Sequence, residues 1–267
     1  MNKIFAVANQ KGGVGKTTTT INLAASIALA DRRVLVVDLD PQSNLTSGVG
    51  MKEQVSPGAT IYEALASTKT PDVNDFILET EVSGLSLVPA DRNLTGAQIE
   101  LLGRKGRERV LQPILQQASE SFDYVLIDTP PSLGILTLNA LVAAEAVLIP
   151  LQPEYFALEG VAELTGTISR VQQSLNASLE ISGVLLTMMN KQFNLAKQVE
   201  RDVREFFGDK VFKTTIPRNV KLAEAPSHGL PAMLYDVNSS GALAYVDLAR
   251  EFLKRHRPRR RGEIAGG

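Results

Sequence analysis

The chain has 267 residues, 44% of them hydrophobic and 21% charged, which suffices for one large domain with its own core and argues against disorder. A formal net charge of −1 gives no global attraction for nucleic acid, so any such contact has to come from a local patch. Cysteine is absent, which excludes disulfides, thiolate metal sites, iron–sulfur ligation and cysteine nucleophiles.

The first apolar run, residues 4–8, is too short for a signal segment and soon meets Lys11. No stretch reaches the roughly 18 consecutive apolar residues of a membrane span, so a cytoplasmic protein is expected. Further short runs follow at residues 34–37, 85–88, 124–127, 146–149 and 181–186. They are rich in Val, Ile and Leu and lack polar alternation, the pattern of strands covered on both faces. Helical spacing occupies residues 17–30, 106–118, 158–175, 195–207 and 242–255. This alternation predicts an α/β fold, a predominantly parallel twisted sheet flanked by helices and joined by right-handed crossovers. Ser56-Pro57-Gly58 marks a loop within the domain. A single domain is expected over residues 1–253, with residues 254–267 a basic, disordered tail.

Between the first strand and the first helix lies Asn9-Gln10-Lys11-Gly12-Gly13-Val14-Gly15-Lys16-Thr17-Thr18. Glycines let the backbone turn so that several N–H groups point into one concavity, and the helix N-terminus adds its positive dipole end. Such a loop fits a polyphosphate, with Lys16 reaching the β- and γ-phosphates and the Thr17 hydroxyl on Mg²⁺. Gln10 stands where the usual phosphate-loop pattern has glycine, and an additional lysine, Lys11, accompanies it. Two more strands end in acids: residues 34–37 lead to Asp38-Leu39-Asp40-Pro41-Gln42, and residues 124–127 to Asp128-Thr129-Pro130-Pro131. Ligands of open parallel sheets bind at the carboxyl ends of strands. Asp128 is therefore expected beside the magnesium, through water, and Asp40 where it can orient an attacking water, also reaching the metal through water.

Lys11-Gly12-Gly13-Val14-Gly15-Lys16-Thr17-Thr18 resembles the deviant Walker A motif of the ParA/Soj family of partition ATPases, relatives of the MinD division-site ATPases and the nitrogenase iron protein. The residues from Val37 to Gln42, from Ile127 to Gly134, from Glu154 to Gly160 and from Ile216 to Gly229 match as well. The similarity covers roughly residues 4–252, and its last stretch is particular to the chromosomal Soj-like branch. The resemblance implies a deviant-Walker-A P-loop fold, with ATP held by residues 11–18 (Lys11, Gly12, Gly13, Val14, Gly15, Lys16, Thr17 and Thr18). It implies a sandwich homodimer in which Lys11 reaches the partner's phosphates, and slow hydrolysis stimulated by a ParB-type centromere-binding protein. Pro217 and Asn219 match positions around the family's adenine pocket, with Asn190 a further candidate.

ATP-bound members of that family bind DNA without sequence preference and sit on the nucleoid, and Arg218 and Lys221 are the matching candidates for phosphate contact. Each neutralised phosphate should add salt sensitivity. Many Soj-like sequences have an Asp-x-Arg segment where this chain has Asn190-Lys191-Gln192, so Lys191 or the basic tail would have to substitute for the arginine. The tail, Lys254-Arg255-His256-Arg257-Pro258-Arg259-Arg260-Arg261, is the most basic segment and lacks the bulky apolar residues of a membrane-surface helix. That disfavours a MinD-like membrane role, while positioning of another cellular cargo stays open. With the first strand starting at Ile4, no N-terminal operator-binding domain is expected.

Overall fold

The structure, a computed structural model, describes residues 3–155, 157–190 and 192–256. Its centre is a seven-stranded sheet in the order β3-β4-β2-β5-β1-β6-β7. The strands are β1 (Lys3–Val7), β2 (Val34–Asp38), β3 (Leu78–Glu79), β4 (Leu85–Val88), β5 (Tyr124–Asp128), β6 (Ala146–Leu151) and β7 (Glu180–Leu186). All neighbours pair in parallel except the two-residue edge strand β3, which is antiparallel to β4. The expected parallel sheet is thus present, with this one antiparallel edge added.

The helices are α1 (Lys16–Ala28), α2 (Asn44–Gly48), α3 (Ile61–Ala66), α4 (Leu94–Glu100), α5 (Leu111–Ala118) and α6 (Ile135–Ala143). They continue with α7 (Ala157–Ser174), α8 (Asn194–Phe207), α9 (Val220–Glu224), α10 (Ala232–Tyr235) and α11 (Ser240–Arg255). No described helix is long and apolar enough to cross a membrane. The helix expected from residue 106 begins only at Leu111, because Gly106 takes φ +70° and a 3₁₀ turn at Arg107–Arg109 intervenes.

Both faces of the sheet are covered, which is why the strands read as continuous apolar runs. Ile4, Ala6, Leu35, Val37, Val125 and Ile127 enter one core, while their neighbours Phe5, Val7, Val34, Val36, Tyr124 and Leu126 enter the other. On the second side α11 lies along α1, and Phe252 packs between Phe5 and Tyr124 with ring centroids 4.8 and 5.7 Å away. Burying a side chain of this size contributes roughly 1.5–3 kcal/mol.

The basic C-terminal segment packs against this core at Arg255 and His256. Arg255 pairs with Glu251 at 2.6 Å and lies 4.3 Å over the Phe212 ring. The His256 carbonyl accepts a hydrogen bond from the Tyr124 hydroxyl at 2.6 Å, and its ring sits 5.0 Å from that of Phe5. Arg255 and His256, assigned to the tail by charge, are therefore packed against the body of the protein, while Lys254 stands exposed on α11. Arg257 to Gly267 lie outside the described residues.

Candidate functional site

The strands β1, β2, β5, β6 and β7 end on the same side of the sheet, and the glycine-rich loop is suspended among those ends. Asn9 donates to the Pro150 carbonyl near the end of β6 at 2.8 Å, and its own Oδ1 accepts from Lys11 N–H at 3.0 Å. Thr129, just past β5, donates to Val7 O at 2.9 Å, and Thr187, just past β7, donates to Val14 O at 2.8 Å. The loop enters α1 through Gly15 at φ +87°, a left-handed conformation that lets the first turn face the concavity without a Cβ in the way. Gly15 has no side chain with which to cap α1, so the first N–H groups of the helix remain available to an anion.

Lys16, only 7% exposed, curls back so that Nζ donates to the Lys11 carbonyl at 3.2 Å. Burial lowers its pKa, and the charges of Asp128 and Asp40 oppose that shift, so all three groups share one electrostatic environment. Asp128 is wholly buried and accepts from the Thr17 hydroxyl at 2.7 Å and from Thr20 at 3.3 Å. Burial, reinforced by the neighbouring Asp38, raises its pKa to about 8. Asp38 and Asp128 are register partners on adjacent strands, and Asp38 is pushed up to about 6, chiefly by burial. Asp40 is 7% exposed, and its Oδ1 accepts from Gln42 N–H at 3.0 Å.

Lys16, Thr17, Asp40 and Asp128 are therefore brought together at these strand ends. The second lysine has a separate partner. Lys11 Nζ lies 2.5 Å from Glu154 Oε2, with both side chains well exposed at 40% and 48%. Gln10 donates to Glu163 on α7. A cleft of about 540 Å³ opens there, lined by Gln10, Lys11, Ser132, Leu133, Glu159 and Glu163. The two ammonium groups thus face different carboxylates, which relieves their mutual repulsion.

The segments carrying Asn190 and Pro217 run side by side. Met189 pairs with Pro217 in an isolated parallel bridge, and Arg218 N–H donates to Met189 O at 3.4 Å. Asn219 has structural work of its own: its Oδ1 caps α9 at Lys221 N–H at 2.8 Å, and Nδ2 donates to Ser240 on α11 at 2.8 Å. Arg218 is exposed. Lys221 is partly neutralised by Glu224 at 2.8 Å and sits 5.4 Å over the Tyr235 ring. Lys191 lies outside the described residues.

Four contributors escaped the sequence reading. Thr20 follows Thr17 by three residues, a spacing that puts both hydroxyls on one face of α1. Asp38 precedes Asp40 by two, so both leave the strand end on one side. Glu154 stood only as the first residue of a stretch matching the family, without a role of its own, and Thr187 carried no local signal.

This arrangement supplies a backbone nest for an anion and hard oxygen donors, Thr17 and Asp128, that suit a small divalent cation retaining much of its water. Among the described residues no group of three or more acids and histidines could hold a metal alone, so most ligands would come from phosphate and water.

A family profile described as an AAA domain matches residues 2–181. The chain is 50% identical over 259 residues to the chromosome partitioning protein ParA of Myxococcus xanthus (strain DK1622), covering 97% of this chain and 90% of that protein. It is equally 50% identical over 255 residues to the chromosome-partitioning ATPase Soj of Treponema pallidum (strain Nichols), covering 96% and 98%. Among solved structures, one described as the cobyrinic acid a,c-diamide synthase of Mycobacterium smegmatis, with bound ATP analog and magnesium, is 38% identical. It superposes with a TM-score of 0.81 over 95% of each chain.

Proposed function

Since the chain belongs to the ParA/Soj family of chromosome-partitioning ATPases, we propose that it is an ATP-driven switch that dimerises around Mg-ATP and holds DNA without sequence preference until hydrolysis releases it. The observation that carries this reading is the division of labour between the two loop lysines. Lys16 is buried with Asp128 and Asp40, and Lys11 is turned outward on a solvent-exposed carboxylate.

In this reading residues 12–18 enclose the phosphates with backbone N–H groups, Lys16 neutralises their charge, and Thr17 and Asp128 hold the cation's side of the site. Magnesium, when bound, would shield the phosphate oxygens and polarise the terminal phosphoryl group. Asp40 orients the attacking water and accepts a hydrogen bond from it. Pro217, Asn219 and Asn190 border the base. Lys11 exchanges Glu154 for the phosphates of a second copy, so the triphosphate becomes part of the interface, and loss of its terminal charge loosens the dimer. An exposed ion pair contributes little net stability, so Glu154 presents no large barrier to the exchange.

DNA contact is assigned to Arg218 and Lys221, and a ParB-type protein is the proposed stimulator of otherwise slow turnover. Nucleoid association would follow from the DNA contact. The test is a DNA shift assay with Mg-ATP against Mg-ADP. Wild type should shift DNA only with ATP. Asp40→Ala should shift it with ATP while losing hydrolysis by about 100-fold or more, and Lys16→Ala should lose both. Equal shifts with both nucleotides would refute the switch.

A further inference from the structure

Asp38 is wholly buried at the end of β2, and its carboxylate is fully engaged within the chain. Oδ2 accepts from both the backbone N–H of Thr46 at 2.9 Å and the Thr46 hydroxyl at 2.7 Å. Oδ1 accepts from Asp40 N–H at 3.2 Å. The Thr46 hydroxyl oxygen accepts in turn from Ala90 N–H at 3.1 Å, which ties the same point to the segment after β4. One carboxylate therefore closes the loop between β2 and α2 at both ends, and Asp40 lies in the middle of that closure. Ser43, at the N-cap of α2, makes no side-chain cap and takes φ +50°. Asp38 caps the helix in its place, from outside the helix. A non-glycine residue persists in the left-handed region only where its surroundings over-determine it, so the loop is held in a single conformation.

We propose that Asp38 is a positioning residue for ATP hydrolysis, which through Thr46 and the backbone of Asp40 fixes where the Asp40 carboxylate meets the reacting water. The proposal rests on the reading of Asp40 as the group that orients that water. A rigid support of this kind matters because displacement of a reacting group by about 1 Å can slow a reaction by about 100-fold. The chemistry of the clamp separates it from simple loop closure. In Asp38→Asn the single amide oxygen can keep Thr46 or the Asp40 N–H but not both, because the other arm is itself a donor. Thr46→Val preserves shape and removes the hydroxyl, while Thr46→Ser restores it.

The experiment measures steady-state ATP hydrolysis and melting temperature for the full chain, as wild type, Asp38→Asn, Thr46→Val, Thr46→Ser, Asp40→Ala and the double variant Asp38→Asn/Asp40→Ala. Asp38→Asn and Thr46→Val should lower kcat by about 10- to 100-fold with KM within about threefold of wild type. Thr46→Ser should stay within about threefold in kcat. The double variant should be no slower than Asp40→Ala, since residues acting through one another are not additive. If Asp38→Asn does not fold, the two Thr46 variants decide the matter. Wild-type kcat in Asp38→Asn and Thr46→Val alongside a slow Asp40→Ala would overturn the positioning role. So would losses of kcat that merely follow melting temperature, or a Thr46→Ser as slow as Thr46→Val. A normally active Asp40→Ala is the separate result that removes the underlying reading of Asp40, and the proposal with it.

Discussion

Two carboxylates lying side by side under a phosphate loop make an unusual demand on the protein that has no nucleotide. Asp128 and Asp38 are fully buried, which opposes ionisation of both; the Asp38 charge further opposes that of Asp128, and the Asp40 charge that of Asp38. Both pKa values rise above the ordinary 3.8, to about 8 and about 6. A raised acid binds its proton more tightly in the folded state, so its contribution is complete below the unfolded value and lost as pH rises through the folded one. The nucleotide-free protein should therefore become less stable between about pH 4 and about pH 8. Asp128→Asn should flatten this slope and melt above wild type at alkaline pH. Thermal melts of both proteins across that range would check it, and parallel slopes would count against the buried pair. Lys16, Thr17 and Asp40 were legible from motif spacing and strand ends. The pairing of Asp38 with Asp128 needs the register of β2 against β5, which no local pattern encodes.

Short elements between the main ones are set by contacts distant in sequence. α2, α9 and α10 are only four or five residues long, too short to hold helical structure alone. The turn after α9 meets the loop after α2 backbone to backbone: a Cβ on Gly229, at φ +67°, would lie 2.6 Å from Gly50 Cα. The contact joins the loop region that follows Asp40 to the segment holding Arg218 and Lys221. Gly229→Ala should cost about 1–2 kcal/mol from left-handed strain alone, and more from the clash, measured as a lower urea midpoint. An unchanged midpoint would mean the two loops separate freely. Six strands and the long helices were readable from apolar periodicity, because burial on both faces is written into every residue of a strand. The short elements were not, since their stability resides in partners such as Ser240 for Asn219.

At the scale of the molecule, the outward-facing Lys11 and the adjoining cleft leave the site open on one side. In the proposed dimer that side is closed by a second copy. In the hydrolysis-blocked Asp40→Ala background, light scattering should give dimers with Mg-ATP and single copies with Mg-ADP. Adding Lys11→Ala should abolish the dimers. A Lys11→Ala protein that still dimerises would show that the lysine does not cross. DNA retention should weaken steeply with salt, by about one counterion for each phosphate neutralised. Arg255 is occupied with Glu251 and Phe212, so among the described candidates Arg218 and the portion of Lys221 not used by Glu224 remain for such contact.

From the order of residues alone came the α/β class, the phosphate loop with its two lysines, and the acids at the neighbouring strand ends. These are local properties: hydrophobic period, glycine placement and the direction a strand points. Only the tertiary structure decided which carboxylate each lysine faces, that Asp38 closes the loop carrying Asp40, and that Arg255 and His256 of the basic segment pack against the core. Each of those depends on bringing together side chains far apart in sequence, down to the 143 positions between Lys11 and Glu154, in a register that packing sets and composition does not record.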